Sequence, residues 1–148
     1  MFNLRLGTIF NDNLSAGGPA NIFVGLSGAD TITTDGFFDF AYGGYNNDTI
    51  IMGTNGGYAR VFGGADNDNF VVEASPTSFS WTRIGDFREE GDDLIYTGLT
   101  DAGEARDLNY REYDGNLLIN VDGHRLFLTN TTWAEVEDYI VYDEVPFA

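Results

Sequence analysis

Four aspartates, Asp12, Asp30, Asp48 and Asp68, stand 18, 18 and 20 residues apart, and each is followed two residues later by an apolar side chain. Glycines and small polar residues surround three of them, in "GLSGADTIT" (25–33), "GGYNNDTII" (43–51) and "GGADNDNFV" (63–71). Carboxylates can work as a glycosidase-like acid–base pair or as ligands of a hard cation. With 24 acidic residues in the chain, counting does not separate the two. Register does: the sharply placed aspartates belong to a repeat that a metal explains.

Cut into nines from Gly7, the chain reads 7–15, 16–24, 25–33, 34–42 and 43–51, then, after Met52 and Gly53, 54–62 and 63–71. Position eight is Leu14, Phe23, Ile32, Ala41, Ile50, Val61 and Phe70, apolar throughout. Position six is Asp12, Asn21, Asp30, Asp39, Asp48, Ala59 and Asp68. Nine residues hold a tight turn and a strand so short that only its middle side chain points inward. Two units close one coil, so turns on one edge recur every 18 residues. Stacked turns then bring carboxylates within about 4.8 Å of one another. Anions at that spacing require a cation, and calcium suits a flexible cage of carboxylates and carbonyls.

These residues resemble the RTX (repeats-in-toxin) family, whose repeat runs G-G-x-G-x-D-x-U-x with U a large apolar residue. The resemblance covers about residues 7–71 and implies an all-β fold: a right-handed parallel β-roll of nonapeptide repeats, followed by a β-rich capping region. It implies a calcium-filled edge of up to three ions on Asp12, Asp30, Asp48 and Asp68, with Gly28, Gly44, Asn46, Gly64 and Asp66 from their turns. The other edge offers Asn21, Asp39 and Ala59, which gives it few ions or none. Pro19, Phe37, Phe38, Phe40 and Tyr58 fall in the turns of that edge. They suit either a contact surface or a patch buried by the C-terminal half, and burial is the expectation. "GDFREEGDDLIY" (85–96) resembles the segment that follows the repeats in serralysin-type and other RTX proteins, and places Asp86 and Asp93 near a further ion.

Composition narrows the partners. The formal net charge is −17, with seven arginines and no lysine. Self-repulsion of that size opposes a compact state until something neutralises it. There is no basic tract for nucleic acid, no cysteine, and no apolar run of the ~20 residues that span a bilayer. "MFNLRLGTIFNDN" lacks the basic start and apolar core of a secretory signal.

Thirteen of the 19 glycines lie in residues 1–64, so the chain divides into a roll (1–71) and a β-rich cap (72–148). In the second part "NLLINVDGHRLFLTN" predicts a hairpin turning at Asp122-Gly123, and Thr132 with Glu135 predicts a capped helical turn. The acidic, apolar tail resembles a type I secretion signal. His124, the sole histidine, is expected on a strand-edge surface with no nucleophile to serve, so catalysis finds little support. Three function classes follow. One is an extracellular calcium-binding structural protein that self-assembles, as a homo-oligomer or head-to-tail filament. Another is the non-catalytic C-terminal module of a larger secreted enzyme, a protease or an alginate epimerase. The third is a glycan-binding or adhesion module that takes a polysaccharide on the aromatic edge.

Overall fold

The computed structural model describes residues 2–52, 57–72, 80–88, 91, 93–97, 108–121 and 123–141. Strands alternate between two facing sheets. One sheet runs, in spatial order, β1 (Phe2–Leu6), β3 (Ala20–Ser27), β5 (Phe38–Tyr45), β7 (Gly57–Gly64), β9 (Ser80–Ile84), β13 (His124–Leu128), β12 (Asn116–Val121) and β11 (Leu108–Tyr113). The other runs β2 (Asn13–Leu14), β4 (Thr31–Thr34), β6 (Thr49–Met52), β8 (Asn69–Val72), β10 (Leu94–Tyr96) and β14 (Ile140–Val141). All pairings from β1 to β9 and on to β13 are parallel, as are all those from β2 to β14, which makes a parallel β-roll.

The register follows the sequence spacing. Phe23 pairs Ala41 and Ile32 pairs Ile50, 18 apart; Ile50 pairs Phe70, 20 apart, where the insertion falls. All seven position-eight residues are buried. They form two facing columns, Phe23–Ala41–Val61 and Leu14–Ile32–Ile50–Phe70, and burial of each large side chain contributes about 1.5–3 kcal/mol. Parallel stacking runs on past residue 71. Val61 pairs Ile84, which pairs Leu128, and Phe70 pairs Ile95, which pairs Ile140. The change of sequence pattern at residue 72 is therefore not a change of sheet.

At the C-terminal end β11, β12 and β13 are antiparallel. Gly123, at φ 88°, turns β12 into β13; its expected partner Asp122 lies outside the described residues. A second turn, Asp114-Gly115 at φ 52° and 77°, joins β11 to β12. A short helix, α1 (Trp133–Val136), starts at Thr132, whose N–H donates to Glu135 Oε2 at 2.8 Å. At the opposite end residues 2–6 are neither cap nor tail. They are a strand of the first coil, with Phe2, Leu4 and Leu6 exposed outward. No described helix is long and apolar enough to cross a membrane.

Candidate metal centre

The four ladder aspartates are joined turn to turn. Asp12 N–H donates to Asp30 Oδ1, Asp30 N–H to Asp48 Oδ1, and Asp48 N–H to Asp68 Oδ1, at 2.8, 2.8 and 2.9 Å. A fifth rung follows, because Asp68 N–H donates to Asp93 Oδ1 at 2.9 Å. Asp30, Asp48, Asp68 and Asp93 thus each use one oxygen to hold the turn before them. The second oxygen divides the rungs. At the ends it has protein donors: Thr8 N–H and Oγ1 reach Asp12 Oδ2 at 2.5 and 2.9 Å, and Arg88 N–H reaches Asp93 Oδ2 at 2.7 Å. In the middle three, Asp30, Asp48 and Asp68, Oδ2 is buried with no hydrogen-bond partner.

An orphaned carboxylate oxygen is costly in a protein interior. Its surroundings show what it is shaped for. A Cβ added at Gly25 would collide with Asp30 Oδ2 and the Gly43 carbonyl oxygen; at Gly43 it would collide with Asp48 Oδ2 and the Gly63 carbonyl. Gly63 stands in the same relation to Asp68 Oδ2. The first glycine of each good repeat therefore keeps open a space bordered by the repeat's own carboxylate and, at Gly25 and Gly43, by a carbonyl of the next turn. Among the described residues no three carboxylate, imidazole or thiol groups converge on one point. A cation here would draw on carbonyls as well, as hard oxygen-loving cations do.

Burial raises the carboxyls: Asp30 above its ordinary value, Asp48 to about 7 and Asp68 to about 8. The donated N–H of the preceding rung opposes this, and neighbouring aspartates reinforce it. A bound cation would return such raised carboxyls to their charged form.

The turns hold this shape through positive φ at positions two and four. Gly44 and Gly64 take it at position two (115° and 99°), and Gly28, Asn46 and Asp66 at position four (102°, 78° and 78°). Leu26 occupies position two of the first good repeat at φ 79°, where a glycine would be unstrained. Position-four side chains clasp neighbouring turns: Gly28 N–H donates to Asn46 Oδ1 at 3.0 Å and Asn46 N–H to Asp66 Oδ2 at 2.9 Å. Asp86 accepts from Gly63 and Gly64 N–H at 3.0 and 2.8 Å.

The second edge is built differently. Asn21 Nδ2 donates to Asp39 Oδ1 at 2.8 Å, and Asn3 Nδ2 to Asn21 Oδ1 at 2.9 Å. Asp39 Oδ2 accepts from Asp35 and Gly36 N–H at 2.8 and 2.7 Å. An amide fills the gap between turns, and both oxygens of Asp39 have donors.

Two expectations are corrected. Phe38 and Phe40 lie on β5 and Tyr58 on β7, not in turns, and the C-terminal half does not cover the phenylalanines: Phe37, Phe38 and Phe40 are exposed. These segments are strand because pairing on this sheet runs eight residues. His124 is fully buried rather than superficial. It lies on the inner face of β13 with Leu126 and Leu128, between Ser80 Oγ at 3.2 Å and Thr82 Oγ1 at 2.9 Å. Sequence reading also passed over Gly25, Gly43 and Gly63, although position one is glycine in all three good repeats. Asn3 was passed over because it precedes the first repeat, yet it stands 18 residues before Asn21.

No protein-family model and no curated protein matches the chain. Among solved structures it is similar to the AlgE6R3 subunit of the mannuronan C5-epimerase of Azotobacter vinelandii, determined in solution. The identity is 20 %, over 92 % of this chain and 80 % of that one, with a TM-score of 0.38.

Proposed function

We propose that this chain is a non-catalytic structural protein whose folding depends on calcium bound along the aspartate edge. The observation that carries this reading is the set of three buried, partnerless oxygens, Oδ2 of Asp30, Asp48 and Asp68. Those residues, with carbonyls such as those of Gly43 and Gly63, would hold the ions. Calcium supplies positive charge there, and the rest is done by the chain. Its glycines keep the space open, its N–H groups fix one oxygen of each carboxylate, and its apolar columns close only when the turns stack.

Extracellular sites of this kind bind at about 10⁻⁴–10⁻³ M, so the chain would stay unfolded at cytosolic calcium and fold outside the cell. That supports export in the unfolded state by a type I route. Circular dichroism during a calcium titration tests the reading. The β signal is expected to develop across the millimolar range and to vanish on chelation. A calcium-independent spectrum would overturn it.

The open end of the roll favours a neighbour. β1 is the end strand of its sheet, with three exposed apolar side chains, and such edges are templates for pairing. The neighbour is either a second copy stacked head to tail, which builds filaments, or a preceding module of a larger secreted protein. Arg5 opposes stacking, because it sits at the end of the inward column in register with Phe23. Light scattering in millimolar calcium decides between a filament and a monomer.

A further inference from the structure

The outer face of the eight-stranded sheet has a chemistry opposite to the rest of the molecule. In one continuous row, Phe40, Arg60, Arg83, Phe127, Leu118 and Arg111 are successive partners across β5, β7, β9, β13, β12 and β11. A parallel row holds Phe38, Tyr58, Trp81 and Arg125. Neither row contains a carboxylate, and together they hold four of the seven arginines of a chain with 24 acidic residues. The acid on β11, Glu112, lies on the other face, where it accepts from Trp133 N–H.

Three of these arginines lie against rings. Arg60 sits 5.3 Å from the Phe62 ring centre, Arg83 5.2 Å from Phe127, and Arg125 6.0 Å from Trp81. Trp81 and Phe127 are themselves stacked, 6.4 Å apart at 22°. A guanidinium laid on a ring is held in place and directs its in-plane donors at a bidentate acceptor. Two depressions open beside these rings. One, of about 240 Å³, lies between Trp81, Phe127 and Arg111; the other, of about 300 Å³, lies between Arg111, Asn120 and Arg125. They share Arg111 and Leu118 and lie at one end of the six-strand row, which at ~4.8 Å per strand makes a track about 24 Å long.

We infer that this face binds an acidic polysaccharide laid across the strands, its carboxylate or sulfate groups on the arginine forks and its sugar rings on the aromatic side chains. The track is too long for a small anion. Nucleic acid fits less well, because its charge density, one per about 1.7 Å of duplex, meets strong repulsion from a chain at −17. The inference goes beyond the calcium reading and uses none of the ladder residues.

The test uses the full chain in saturating calcium, with folding followed by circular dichroism. The probe is a chondroitin sulfate hexasaccharide, titrated by calorimetry against neutral maltohexaose and a single-stranded DNA hexamer. Saturable binding of the acidic sugar alone is expected, weakening as salt is raised. Arg60→Ala and Arg111→Ala, at exposed positions, are each expected to lower affinity about tenfold with the fold intact. Absence of binding to the folded protein, equal binding of maltohexaose or DNA, or unchanged affinity in both variants would overturn it. So would a calcium-loaded dimer that both substitutions disrupt, since the face would then belong to a second copy.

Discussion

The two edges of the roll solve one problem in two ways. On each, polar groups recur every 18 residues and must lie one above another. On the second edge an amide stands between carboxylates: Asn3, Asn21 and Asp39 form a hydrogen-bonded relay, and no charge faces a like charge. On the first edge every rung is an aspartate. Backbone N–H groups satisfy one oxygen of each, and three second oxygens are left buried without a partner. Asparagine closes its edge with the chain's own atoms. Aspartate makes closure conditional on something from outside.

The largest effect expected from this difference is on removal of calcium. The aspartate edge should open and take the apolar columns with it, so that most of the β signal is lost. Hydrogen exchange sharpens the comparison. Any protection that survives chelation should sit on the Asn21 side, and survival on the Asp48 side would break the scheme.

Acid should partly replace calcium. Folded-state values of about 7 and 8 for Asp48 and Asp68 lie above the ordinary 3.8, so the folded state binds protons more tightly than the unfolded chain. That contribution is fully present below about pH 4 and is lost as pH rises through about 7 to 8. In chelator the chain should be more structured near pH 5 than near pH 9, by circular dichroism. In calcium the trend should reverse, because ligands must be deprotonated to bind. A chelated chain that is more ordered at pH 9 contradicts both statements.

A gain of function is the next step down. Asn21→Asp would replace the relay amide with a carboxylate facing Asp39. The variant should fold less readily at low calcium and, at saturation, bind an additional ion by native mass spectrometry. Unchanged stoichiometry with unchanged stability would mean that the amide is not what excludes a cation there. The smallest effect belongs to Leu26→Gly. Relief of the left-handed backbone at an exposed residue should raise stability by about 1 kcal/mol in thermal unfolding in calcium. A loss of stability would show that the leucine side chain has a packing role.

The roll was legible because its period is short and each unit obeys it. Every position-eight residue is in the core, and Asp12, Asp30, Asp48 and Asp68 fall on one edge. What escaped depends on where strands stop and which way they face. Phe38 and Phe40 were read as turn residues because a unit with one three-residue strand leaves no other place, whereas pairing on that sheet extends to Phe38–Tyr45. The turn at Gly123 was legible, but the face of the strand after it was missed. Counting back by twos from Leu128 and Leu126 places His124 inside. The outer row of arginines and rings was not legible at all. Its members come from six strands, successive partners lying 20, 23 and 44 residues apart or across hairpins, and only the register brings them into line.

The most direct test is to count bound calcium in two variants that remove one carboxylate from each edge. Asp48→Ala should lose at least one ion at saturation, because its turn stacks between those of Asp30 and Asp68. Asp39→Ala should lose none. It should instead cost about 1–3 kcal/mol of stability through the three N–H donors it strands. Equal loss of bound calcium in the two variants, or a loss confined to Asp39→Ala, would contradict the division of the roll into a metal edge and an amide edge.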